Sequence, residues 1–335
     1  MKQNNKKTPE LPSINDLFKS LSKQILRIDR EIKKNIDDEE KLITLTASHL
    51  INAEGKKLRP ILTLLCSRML NYKGTAHFNL SVCIEFIHNA TLLHDDVIDG
   101  GKIRRGKKSA NLIWGNKISV LVGDYLLSKA FKLMVKDKSI KVLEILSKTS
   151  LILARGQIQD VNNISNINLS ESKYLSIINS KTAELFRVSC YLPTIISNKS
   201  KKVQKSLNDF GYYFGMSFQL SDDILDYFGN SKKMGKIIGK DFYEGKITYP
   251  VIHCYKKSNS TNKNKLRKIF LKNKRSKNDF NKTLLIMNST NTCEESINFL
   301  DKYLKKAKSS VLQFEGLADK VYLDVLVNYL RIRDK

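Results

Sequence analysis

Two runs of carboxylates share one spacing. His94-Asp95-Asp96-Val97-Ile98-Asp99 and Ser221-Asp222-Asp223-Ile224-Leu225-Asp226 both contain Asp-Asp-x-x-Asp, each in an otherwise apolar stretch. On a helix, Asp95 and Asp99 share a face, and like charges at that spacing cost about 0.2–0.5 kcal/mol. The arrangement gains only if a cation lies between them. The six carboxylates of Asp95, Asp96, Asp99, Asp222, Asp223 and Asp226 form an oxygen donor set suited to Mg2+, which keeps waters and takes a carboxylate or two plus substrate phosphates. A solvated acidic helix end accounts for one such cluster, but not for two on two apolar helices.

Short basic motifs offer what a diphosphate needs. Gly55-Lys56-Lys57-Leu58-Arg59-Pro60 sets Lys56 and Arg59 beside a flexible glycine just before a helix start. Arg104-Arg105-Gly106 follows the first acidic cluster by a loop, within reach of the same pocket for bidentate phosphate binding. Lys181-Thr182 falls within a helix and Gly245-Lys246 in a Gly-flanked loop. His88, seven residues before Asp95, lies near the same helical face, although a lone histidine there is more often a core residue. With 59 Lys and Arg in the chain, any single lysine is mostly solvent decoration, and the scarce arginine pair is more telling. No Ser-His-Asp or Cys-His arrangement is evident.

The elements that must position these groups are helices. From Leu17 onward, apolar residues recur at three- and four-residue spacing, with only 5 Pro and 15 Gly to interrupt them. The pattern predicts helices over 17–35, 41–53, 60–71, 77–99, 117–135, 139–161, 171–197 and 201–228, with shorter ones to the C-terminus and no competing strand signal. Pro60 suits a helix start and Gly100-Gly101 a stop. Residues 1–16 read as a flexible segment and 17–335 as a single all-helical domain.

Composition sets the remaining bounds. Five scattered cysteines without Cys-x-x-Cys spacing argue against disulfides and for a reducing cytoplasm. Neither a signal peptide nor an apolar run long enough to span a bilayer is expected. The formal charge of +26 is spread as lysine along the whole chain rather than gathered with arginine and aromatics, so nucleic acid is not the expected partner, while transient contact with an anionic membrane surface stays open. Residues 256–277 read as a solvated loop around one short helix.

In this order, the motifs resemble those of the trans-isoprenyl diphosphate synthases of the polyprenyl synthetase family over roughly Gly55 to Pro250. The run Ile87-His88-Asn89-Ala90-Thr91-Leu92-Leu93-His94-Asp95-Asp96 and Val120-Leu121-Val122-Gly123-Asp124 are most similar to bacterial long-chain members of the octaprenyl type. The resemblance implies an isoprenoid synthase fold: an all-α, single helical bundle around a deep central cavity, commonly a homodimer. It implies that the six aspartates hold several Mg2+ ions, that Lys56, Arg59, His88 and Arg105 bind isopentenyl diphosphate, and that Arg104, Lys181, Thr182, Gln219, Lys236 and Lys246 face an allylic diphosphate. Among these, Lys181, Thr182 and Gln219 would act at the reacting carbon.

Family members carry aromatic residues just below the first cluster when products are short. Ala90 and Thr91 stand there in this chain, with Ile87, Cys83, Met134 and Leu146 as further candidate wall or floor residues. The implied activity is chain elongation from farnesyl diphosphate to a long all-trans product for quinone side chains. The alternatives are a geranylgeranyl or farnesyl diphosphate synthase, or one subunit of a hetero-oligomeric synthase. Glu54, Lys57 and Gly100-Gly101-Lys102 depart from the commonest family pattern, which bears on isopentenyl diphosphate affinity rather than on the chemistry.

Overall fold

The computed structural model describes residues 12–52, 55–104, 106–136, 138–229 and 238–332. The helices run α1 (Ile14–Ser20), α2 (Ser22–Ile36), α3 (Lys41–Ile51), α4 (Leu58–Met69), α5 (Ala76–Ile98), α6 (Ala110–Lys136), α7 (Ile140–Val161), α8 (Glu171–Ile178), α9 (Glu184–Ile196) and α10 (Lys201–Phe228). After them come α11 (Lys240–Glu244), α12 (Tyr249–Lys257), α13 (Ser260–Phe270), α14 (Lys277–Ser289), α15 (Thr292–Ser310) and α16 (Lys320–Ile332). The apolar faces read from the sequence close on one another: Phe186 of α9 and Phe210 and Phe214 of α10 are fully buried, with the Phe186 and Phe214 rings edge-to-face at 5.4 Å.

Several boundaries differ from the sequence pattern, each for a local reason. The first helix begins at Ile14, inside the segment expected to be flexible, because Ser13 and Asp16 form a reciprocal capping box. It breaks at Leu21, so the helix expected over 17–35 is two. α4 begins at Leu58, two residues before Pro60, which is tolerated because the first turn has no intrahelical partner for the missing N–H. α6 starts earlier than expected and bends at Gly115 (φ 84°, ψ 163°). A short antiparallel pair, β1 (Ile103–Arg104) and β2 (Lys107–Lys108), follows the first aspartate cluster where no strand was expected. The polar run after α12 folds as predicted, around the single helix α13.

The expected long helix over 171–197 is interrupted by one π-helical turn, Asn179–Ala183, between α8 and α9. Such a wide turn inserts one residue into the helical register and is frequent at functional sites. It is pressed from two sides by glycines: a Cβ at Gly156 of α7 would meet the Lys181 backbone nitrogen at 2.7 Å, and one at Gly215 of α10 would meet the Ala183 Cα at 2.6 Å. Helices α7 and α10 therefore pack on the backbone that carries Lys181 and Thr182. α5 and α6 approach as tightly, since a Cβ at Gly123 would overlap the His94 ring.

Candidate active site

One cavity lies where the C-terminal ends of α5 and α10 face the π turn. Its lining includes Asp95 and Asp99 from α5, Arg104 from β1, and Asp160 at the end of α7. Tyr174 comes from α8, Lys181 and Thr182 from the π turn, and Gln219 and Asp223 from α10. Lys240 and Asp241 from α11, and Lys246 in the loop after it, complete the polar wall. Leu169, Ile177, Ile178 and Ile247 supply the apolar part.

A hydrogen-bonded chain crosses this cavity. The Thr182 hydroxyl donates to Gln219 Oε1 at 2.7 Å, Gln219 Nε2 donates to Asp223 Oδ1 at 2.7 Å, and the buried Tyr174 hydroxyl donates to Asp223 Oδ2 at 2.5 Å. The amide of Gln219 is thereby fixed with its oxygen toward Thr182. Around the chain, the cations are paired: Lys181 Nζ with Asp160 at 2.7 Å, and Lys246 Nζ with Asp99 at 3.0 Å and Glu244 at 2.7 Å. Arg104 forks onto Asp96, Nε at 3.0 Å and Nη2 at 2.5 Å.

Burial dominates the electrostatics. It pushes the carboxyls of Asp95, Asp223 and Asp241 above the usual range, with the Asp241 charge adding to the effect on Asp223. Burial and Asp241 beside it push Asp226 up to about 8. Burial works the same way on Asp99, but Lys246 and Lys181 outweigh it and hold that carboxyl low. Lys246 is desolvated, yet Asp241, Asp99 and Glu244 keep it firmly protonated.

These are carboxylates crowded in a site that disfavours their charge, which is the condition a hard divalent cation relieves. Among the described residues no group of three or more His, Cys, Asp or Glu side chains is placed to hold a metal ion. Mg2+ takes only a carboxylate or two and completes its shell with waters and phosphate oxygens. Asp95 and Asp99 on one wall and Asp223 on the other could hold such ions.

The other sequence-predicted residues are distributed differently. Asp96, expected among the metal-facing carboxylates, is 1% exposed, does not line the cavity and is paired with Arg104, which does. Asp226 is also outside the lining; its carboxylate accepts the backbone N–H groups of Lys240 and Asp241 at 3.0 and 2.9 Å, capping α11. Asp222 is half-buried on α10 beside the lining. Arg59 Nη1 and His88 Nε2 lie 3.1 Å apart across α4 and α5, with the guanidinium 4.2 Å from the Phe186 ring centre. Lys56 is exposed, with its ammonium over the ring of Tyr329 in α16 at 4.0 Å. Arg105 and Lys236 fall outside the described residues. Ala90, Ile87, Cys83, Met134 and Leu146 are buried and Thr91 half-buried, and none of them lines this cavity.

The sequence reading missed Asp160, Tyr174, Lys240 and Asp241. Asp241 was accessible in principle, lying between Gly239 and Gly245 beside the chosen Lys246. Nothing in spacing marks Asp160 or Tyr174.

A helical bundle whose polar mouth joins two aspartate-bearing helix ends to a Lys-Thr turn defines a diphosphate-handling prenyltransferase fold, and comparison with known proteins agrees. A family model described as polyprenyl synthetase matches residues 40–287, and the chain belongs to that family. It is 32% identical to octaprenyl diphosphate synthase of Haemophilus influenzae over 96% of this chain and 97% of that one. It is 33% identical to heptaprenyl diphosphate synthase component 2 of Bacillus subtilis over 87% and 82% of the two chains. The crystal structure of polyprenyl synthase from Caulobacter crescentus CB15, complexed with calcium and isoprenyl diphosphate, superposes with a TM-score of 0.92 at 33% identity, covering 98% and 100% of the two chains. The all-α isoprenoid synthase fold follows from these likenesses and from the helices themselves.

Proposed function

We propose that this chain is a magnesium-dependent, chain-elongating trans-polyprenyl diphosphate synthase. It condenses isopentenyl diphosphate with an allylic diphosphate, farnesyl diphosphate first, into an octaprenyl-length product destined for quinone side chains. The observation that carries this reading is the Thr182–Gln219–Asp223 chain, which joins two oriented dipoles to a carboxylate inside a cavity that also holds Asp95, Asp99, Lys181 and Lys246.

When bound, Mg2+ held by Asp95, Asp99 and Asp223 supplies charge neutralisation for the leaving diphosphate. The protein's own groups do the rest. Lys181, Lys246 and Arg104 now face carboxylates and would exchange them for phosphate oxygens, preorganised for the charge that develops as the allylic C–O bond breaks. Thr182 Oγ and Gln219 Oε1, hydrogen-bonded to one another in the cavity wall, are the electron-rich atoms that would lie beside the allylic carbon as it becomes positive. Arg59 and His88, joined across α4 and α5, form the nucleus of an isopentenyl diphosphate site. The isopentenyl double bond then attacks, and the departed diphosphate takes the proton, so no covalent enzyme intermediate is needed.

Two further features support finer parts of this reading. The small residues Ala90 and Thr91 sit about one turn below Asp95, consistent with a long product. An exposed apolar stripe along α6 and α7, with Leu121 62%, Val135 61%, Leu151 60% and Ile158 61% exposed, would be covered in a homodimer. The likeness to a synthase component 2 supports a second reading, a catalytic subunit that works with a different partner chain.

The test is incubation of purified protein with farnesyl diphosphate, radiolabelled isopentenyl diphosphate and Mg2+, with and without chelator, followed by chromatography of the dephosphorylated products. A chelator-sensitive ladder ending near eight units is the expected result. No incorporation from any allylic primer would defeat the proposal for the chain alone.

A further inference from the structure

The end of the bundle opposite the aspartate clusters carries a basic, partly apolar surface that the site does not use. α10 begins there with Lys201, Lys202 and Lys205, and at 1.5 Å per residue reaches Asp222 about 32 Å further on. α15 packs against α10 and ends there with Lys305, Lys306 and Lys308. The two ends are tied side by side: the Ser206 hydroxyl donates to the Ser310 carbonyl, and Gln313 Nε2 reaches the Lys202 carbonyl at 3.5 Å.

All six lysines are exposed. Lys205 pairs with Asp209 at 2.5 Å, whereas among the described ion pairs none of the other five meets a carboxylate. Leu312 and Leu317, just past α15, are 61% and 46% exposed. A groove between α9 and α10 opens at the same end, lined by Tyr191, Lys201, Gln204, Lys205 and Asn208 among others. Lys308 reaches Asn328 Oδ1 at 2.7 Å and Lys306 lies over the rings of Tyr213 and Tyr303, so these heads are held at the surface without their charge being neutralised. Lysines without carboxylate partners, exposed leucines and a polar groove together match a lipid interface, in which cations meet headgroup phosphates and apolar side chains enter between them.

We propose that this end of the bundle docks on an anionic phospholipid surface. The inference rests on the long-chain reading above. One isoprene unit is comparable in length to one helical turn, and α5 from Asp95 down to Ala76 offers only about 29 Å. A tail of about eight units therefore outreaches the bundle and emerges, apolar, at its far end. Docking there delivers the tail into lipid while the diphosphate end stays in the aqueous cavity.

The experiment is co-sedimentation of the full chain with vesicles of phosphatidylcholine alone or with added phosphatidylglycerol. Binding to the anionic vesicles alone is expected, weakening with salt. The variant Lys201→Glu/Lys202→Glu/Lys305→Glu/Lys308→Glu should lose at least about tenfold in affinity. A control with the same charge change elsewhere, Lys256→Glu/Lys257→Glu/Lys265→Glu/Lys268→Glu, should lose far less. Absence of vesicle binding, equal loss in both variants, or tighter retention on double-stranded DNA than on vesicles would overturn the proposal. Condensation from farnesyl diphosphate in detergent, expected unchanged in both variants, separates failure of the docking surface from failure of the catalytic reading.

Discussion

Lys181 Nζ lies 2.7 Å from Oδ2 of Asp160, joining a π turn to the end of α7. The lysine expected to meet a phosphate thus already has a counter-ion that the phosphate must displace. In Asp160→Asn that competitor is gone. Inorganic pyrophosphate, titrated calorimetrically in chelator, should bind about fivefold tighter, since one fewer screened negative charge is worth about 1 kcal/mol. Weaker binding would show instead that Asp160 orients Lys181 for its ligand.

Burial opposes the ionisation of Asp95, so its charge is costly unless a cation lies beside it. Asp95→Ala should fold with an unchanged circular dichroism spectrum and an equal or higher melting temperature without metal. Its isopentenyl incorporation should fall at least about 10²-fold, by analogy with losing one preorganised charge-stabilising group. Wild-type turnover in this variant would refute the metal assignment.

Tyr174 holds one oxygen of Asp223 while Gln219 holds the other. Tyr174→Phe keeps the ring and removes the tether. The Mg2+ concentration giving half-maximal rate should rise about tenfold, the usual scale for losing an outer-sphere hydrogen bond to a metal-binding carboxylate. An unchanged Mg2+ profile would leave the tyrosine a packing role only.

The chain-length assignment is open to a paired test. Ala90 is 2% exposed, so Ala90→Phe must overpack the bundle, costing about 1–3 kcal/mol, and should shorten the product ladder. Thr91 is half-buried, and Thr91→Phe should shorten the ladder at less cost in melting temperature. If both variants give the wild-type ladder, α5 is not the ruler.

His77 gives a pH dependence remote from the site. It packs between Tyr72 and Phe78, and burial together with the Arg27 charge lowers its pKa to about 4. The unfolded chain, with an ordinary value of 6.5, therefore binds more protons between about pH 4 and 6.5. The stability associated with neutral His77 is complete above that window and is lost as pH falls through it. Denaturant midpoints of wild type and His77→Phe, compared at pH 7 and pH 5, should show the smaller loss in the variant.

How much of this was legible from sequence follows the range of the interactions. Helix existence was, because apolar periodicity is a local signal; the split at Asn179–Ala183 was not, because it depends on α7 and α10 pressing on that turn through Gly156 and Gly215. Asp95, Asp99 and Asp223 line the cavity as residues within a repeated motif can, and Lys181, Thr182 and Gln219 join them. Asp96 and Asp226 belong to the same motifs yet face Arg104 and the α11 backbone, since spacing does not say which way a carboxylate turns. Asp160 and Tyr174 are 63 and 49 residues from Asp223, and only the fold makes them neighbours.

The wide turn at Asn179–Ala183 also bears on which changes of length the gene can accept. Most connections between these helices lie at the surface, where adding or dropping a codon changes little. Within this turn, loss of one codon would close the bulge into a regular helical turn and leave α8 and α9 nearly in phase, since the wide turn already absorbs one residue. What would be lost is the local widening that carries Lys181 and Thr182 between α7 and α10. The same deletion in the regular turns of α9 would instead rotate everything beyond it by about 100°.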